Sequence, residues 1–186
     1  MKYYNESWLS FTLAVINTYD PYYKEPERLN STVQLRDLTE KHGLFFDELP
    51  TLKDVRAIRT YRDNLRNLII RGSDTNLVDF LTECESHSPI KSKLYIKENG
   101  NFDFFYEESN RKDSTLKNSI LAICSFTLGR ELVEYGRDRL KVCVSAPCEE
   151  IFVDHSKNGL QRFCSKRCSN RFHVNKHRES NKLRDK

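Results

Sequence analysis

Residues 143–168 read CVSAPCEEIFVDHSKNGLQRFCSKRC and hold four of the chain's six cysteines. They form two close pairs, Cys143-x4-Cys148 and Cys164-x3-Cys168, with fifteen residues between the pairs. Tetrahedral zinc takes four thiolates at about 2.3 Å, and two close cysteine pairs flanking a short segment supply them. Ala146-Pro147 turns the chain inside the first pair. Residues 151–153 predict a short strand, and Asn158-Gly159 offers a turn back into residues 160–163. Ser165 suits the cap of a helix from about Lys166, which sets Cys164 and Cys168 at its first turn. Free N–H groups and the positive end of the helix dipole favour thiolates there. A cysteine turn, a hairpin and a ligand-bearing helix start describe a treble-clef-like finger around one structural Zn2+. Four protein ligands leave no position for water, so zinc catalysis is not expected.

Other arrangements of the thiols stand beside this one. Disulfides require an oxidising compartment, and redox release of zinc has no distinct signature here. His173 and His177 are four apart, but they fall roughly 140–180° around the helix from Cys168.

The chain has 186 residues, 38% hydrophobic and 31% charged, which suits a soluble globular protein. No apolar run approaches the roughly 20 residues of a bilayer span. Residues 8–16 are apolar, but Ser10 and Thr12 interrupt them and no small-residue cleavage site follows. A cytoplasmic protein with reduced, metal-available cysteines is therefore expected, with no membrane partner. The net charge of +4 is unevenly spread. Residues 155–186 hold ten Lys or Arg against Glu179 and Asp185, a local +8, which leaves −4 on the rest. An acidic body with a basic end fits a nucleic-acid partner, and it also fits a solubilising tail.

The body reads as mainly α with one β-hairpin, an α+β domain over residues 1–138, with the finger and its basic helix over 139–186. A first helix carries Trp8, Phe11, Leu13, Val15 and Ile16 and ends at Asn17. Residues 20–30, with Pro21 and Pro26, read as a loop. Ser31-Thr32 caps a second helix that stops at Gly43. Leu52, Val55, Ile58, Tyr61, Leu65, Leu68 and Ile69 keep the 3-to-4 spacing of one helical face, and Gly72 ends it. A fourth helix is expected over 76–85. Residues 93–106 predict a hairpin around Asn99-Gly100. A last body helix starts at Ser114 and extends toward Leu140. Cys84 and Cys124 lie within such helices and read as buried apolar fillers.

The stretch from Cys143 to Arg171 resembles the CGNR zinc finger, whose four cysteines share this spacing. The likeness includes Phe152, Asp154, Ser156, Asn158 and Arg162. That finger typically follows a helical domain called ABATE, in a family described as candidate stress-induced transcription regulators of bacteria. LAVINTYD, residues 13–20, looks like that family's early Asn-Thr motif, and YRDNLRNLI, residues 61–69, resembles its Leu-Arg-rich helix. The naming motif reads Cys168-Ser169-Asn170-Arg171, with serine for glycine. Glu149 stands where glycine is common, and Phe172-His173 replaces a more basic stretch. The resemblance implies a regulator whose finger contacts double-stranded DNA and whose body senses a small molecule or forms a homodimer.

Zinc with four thiolates carries −2, so nearby cations have two roles open to them. Arg162, between strand and ligand, suits neutralisation. Arg167, Arg171 and Arg178 project within roughly 40° of one another, beside a face of Lys166, Asn170, His173 and His177. Phosphates accept Arg and Lys, and Asn170 or Arg171 suits a base edge. The DNA-contact candidates are thus Arg162, Lys166, Arg167, Asn170, Arg171 and Arg178, and neutralising about five phosphates predicts a log–log salt slope of about −4 to −5. Asn17, Arg62 and Arg66 are candidates for an acidic effector's pocket, although a helix cap for Asn17 and solvation or pairing with Asp63 for both arginines explain them too. An RNA-binding or protein-interaction module is the rival class. No P-loop, dinucleotide turn, nucleophile motif or paired carboxylates point to an enzyme.

Overall fold

The computed structural model describes residues 4–87, 90–108 and 114–184. The body contains α1 (Tyr4–Ile16), α2 (Thr32–Lys41), α3 (Leu52–Arg71), α4 (Asp74–Ser86), the strands β1 (Ile90–Ile96) and β2 (Phe102–Glu108), and α5 (Leu116–Tyr135). Then come β3 (Leu140–Val142), β4 (Ile151–Val153) and α6 (Lys166–Arg184). No described helix is long and apolar enough to cross a membrane.

Local chemistry sets these boundaries. Ser31 and Thr51 cap α2 and α3 as reciprocal boxes with Gln34 and Asp54. Helix α5 is capped by Thr115, one residue past the expected start, and Gly136 ends it at φ +82°, well short of Leu140. Its Ile120, Ala122, Ile123, Cys124 and Leu128 are all buried, so it is the central helix, packed by α1, α3 and α4. Tyr61 of α3 reaches it through a 3.0 Å bond to Ser125 Oγ. Cys84 and Cys124 are free and buried among these helices, and burial pushes the Cys124 thiol up to about 12. The β1–β2 connection is the five residues 97–101, in which Gly100 N–H bonds Lys97 O and Gly100 adopts φ +81°.

Strand β4 pairs antiparallel with β3, Leu140 opposite Val153. The expected hairpin with residues 160–163 does not form. The carboxylate of Asp154 accepts from Lys141 Nζ (2.6 Å), Gln161 N (2.9 Å) and Ser156 N (2.9 Å). The chain after β4 therefore wraps around this buried acid instead of turning back along the strand. Gly159 closes the wrap at φ +64°, where an added Cβ would meet the Arg139 guanidinium at 2.8 Å.

Leu140 and Ile151 belong to the same apolar core as α1, α3 and α5. The β3–β4 hairpin is therefore part of the body's packing as well as the root of the cysteine module. A second, smaller cluster holds Cys143, Cys148 and Cys168, with Tyr22, Phe163 and Cys164 against it.

Candidate metal centre and its basic helix

The β3–β4 hairpin carries the first cysteine pair in its connection. Cys143 follows β3 and its N–H bonds Glu150 O at 2.9 Å, while Cys148 N–H bonds Ser145 O at 3.0 Å across the cis Ala146-Pro147 peptide. Cys164 and Cys168 flank the start of α6, where Ser165 Oγ accepts from Cys168 N–H at 3.3 Å and caps the helix.

All four sulfurs lie within 4.8 Å of one another. Cys148 Sγ stands 3.8 Å from Cys164 Sγ, which stands 3.5 Å from Cys168 Sγ. A tetrahedron with metal–sulfur bonds of about 2.3 Å has edges of about 3.8 Å, so the donors fit one zinc ion. The sulfurs' own proton balance points the same way. Burial pushes the Cys148 thiol up to about 12 and raises Cys164 as well. Burial opposes ionisation of Cys168 too, but Ser165 and the neighbouring thiols hold it below its usual value. A divalent cation takes the place of the protons that these packed sulfurs would otherwise hold.

The family model of the CGNR zinc finger matches residues 139–180. The chain carries a CGNR zinc finger. Comparison with curated proteins finds no match.

The finger's cations divide differently from the expectation. Arg171, not Arg162, turns to the sulfurs. Its Nη2 donates to Ser145 O at 2.7 Å and meets Cys168 Sγ at 3.4 Å, and its guanidinium lies over the Tyr22 ring. Three residues past a ligand cysteine on a helix is the same face, so this signal was present in the sequence. Arg171 is thereby unavailable to a base edge. Arg162 is exposed and lies over the Phe163 and Phe172 rings. Lys166, Arg167, Asn170 and Arg178 are exposed, with Arg167 stacked on Tyr22.

Asn17 and Arg62 are both committed elsewhere. Asn17 uses its side-chain amide as a strand edge, donating to Ile151 O and accepting from Ile151 N–H, both at 2.8 Å. Arg62 is buried in a two-pronged pair with Glu27 at 2.8 and 2.7 Å, with Thr18 and Asp63 as further partners. Both side chains are engaged within the chain. Two further residues, Asp20 and Arg66, complete the seat. Asp20, fully buried, accepts from Tyr22 N–H (3.0 Å) and Glu149 N–H (3.1 Å), and Arg66 donates to Glu149 O (3.0 Å). The Asn17-Thr18-Tyr19-Asp20 motif is thus where the finger's Glu149 and Ile151 dock on the body.

Proposed function

We propose that the chain is a DNA-binding transcription regulator whose zinc finger holds α6 against the phosphate backbone. The observation that carries this reading is the exposed, cationic α6. Its sequence has seven Lys or Arg against Glu179 alone, and residues 173–181 are all exposed. A 19-residue helix is about 28 Å long, enough to lie along a groove or across a backbone. Lys166, Asn170, His173 and His177 form the side directly opposite Cys168, so zinc and DNA would use different faces. In this reading the body is an ABATE-type sensing or dimerising domain.

With Arg171 occupied, four of the cationic candidates remain for phosphates: Arg162, Lys166, Arg167 and Arg178. About four contacts give a log–log salt slope of about −3 to −4. Mobility shifts of the zinc-loaded chain on random duplex DNA over a salt series test this, with single-stranded DNA and RNA as competitors. Duplex preference with that slope supports the reading. Absence of duplex binding at low salt overturns it, and preference for RNA replaces it with the rival class.

A further inference from the structure

Arg62 and Arg66 stand one turn apart on α3 and are 1% and 5% exposed, yet their partners differ in kind. Arg62 has the bidentate Glu27 carboxylate. Arg66 spends its donors on two main-chain carbonyls, Glu149 O at 3.0 Å and Ile16 O at 3.4 Å. The carboxylate facing it, that of Glu149, stands off at 3.6 Å on a side chain that is 53% exposed. A buried guanidinium without a close anion is costly, and burial correspondingly draws Arg66 below its usual pKa.

Arg66 lines a cleft of about 570 Å³ between α3 and the finger's Val142 and Glu149. Four guanidinium groups (Arg59, Arg62, Arg66, Arg71) face three carboxylates (Glu27, Asp63, Glu149) in its lining, a balance of +1. Tyr19, Ile70 and Val142 give it apolar wall, with Ile70 45% exposed. We infer that this cleft binds a small organic monocarboxylate, its carboxylate replacing that of Glu149 on Arg66 and its apolar body lying against Tyr19, Ile70 and Val142. Tyr19, Ile70 and Val142 offer an organic anion apolar contacts that inorganic phosphate cannot make. The exchange needs only a side-chain rotation, because the backbone of Glu149 is held separately by Asp20 and Arg66. The inference is independent of whether α6 binds DNA.

Calorimetric titration of the zinc-loaded full chain with benzoate, and with phosphate at equal ionic strength, tests it. Benzoate is expected to bind saturably and more tightly than phosphate. Glu149→Gln removes the competing carboxylate and strengthens benzoate binding severalfold, a sign that a merely structural Glu149 would not produce. Ile70→Glu, on the exposed side of α3, abolishes benzoate binding without touching the seam. No saturable benzoate binding, phosphate equal to benzoate, benzoate binding undiminished in Ile70→Glu, or unchanged or weaker binding in Glu149→Gln overturns the inference.

Discussion

Arginine serves three purposes in this chain, separated by what each guanidinium meets. Arg62 is a strut. Removing it leaves the Glu27 carboxylate, 18% exposed, without its bidentate partner. Arg62→Ala should therefore cost about 3–5 kcal/mol in chemical denaturation of the chain. Arg171 neutralises sulfur and Arg178 faces solvent. Arg171→Ala should release zinc faster to a colorimetric chelator, while Arg178→Ala leaves zinc retention unchanged and, under the proposed function, weakens duplex binding. The acid side of the stability curve has an identifiable source in Glu27 and Asp154. Burial would raise both carboxyls, but Arg62 holds Glu27 below its usual value, and Lys141 with Ser156 holds Asp154 well below. Folded values below unfolded ones stabilise the chain above the ordinary carboxylate range of about pH 4, and that stability disappears as pH falls through the folded values. Glu27→Gln, remote from the sulfurs, should flatten the fall in unfolding midpoint below about pH 4, read by thermal denaturation across a pH series.

At the scale of elements, the finger is held by backbone pairing that a side chain completes. Asn17 supplies the missing edge of β4, so Asn17→Ala should cost about 1–3 kcal/mol and expose the Ile151 amide to hydrogen exchange. The helices and the first hairpin were legible because caps, glycine stops and 3-to-4 spacing are local signals. Ser31 caps α2 and Gly72 ends α3, as their residue types imply. Strand β3 was not legible, since three residues of Leu-Lys-Val have no periodicity to detect. Its pairing with β4 follows from burial of Leu140 and Ile151 in the body's core. The turn at Asn158-Gly159 was real, but its direction depends on Asp154, whose partners are scattered between residues 141 and 161. Helix α6 buries little beyond its first turns, and an isolated helix of this length is marginal in water. Chelating the zinc should therefore remove α6's share of the far-UV circular dichroism while the body keeps its own cooperative unfolding transition.

Across the whole molecule, the charge split seen in the sequence becomes a spatial one. The cysteine module sits on the body through Asn17, Asp20 and Arg66, and α6 leads its cations outward from that seat. The four ligands were readable from spacing alone, because two close pairs need only their own turns to converge. The roles of Asn17 and Arg62 were not, since each depends on a partner between 35 and 134 residues away. The finger is built around a closed four-sulfur centre that orders the start of α6. Zinc K-edge X-ray absorption on the purified full chain, with metal content measured on the same sample, tests that directly. One zinc per chain with four sulfur neighbours at about 2.3 Å is the predicted result. A nitrogen or oxygen neighbour in place of any sulfur, or a folded finger without stoichiometric metal, would contradict it.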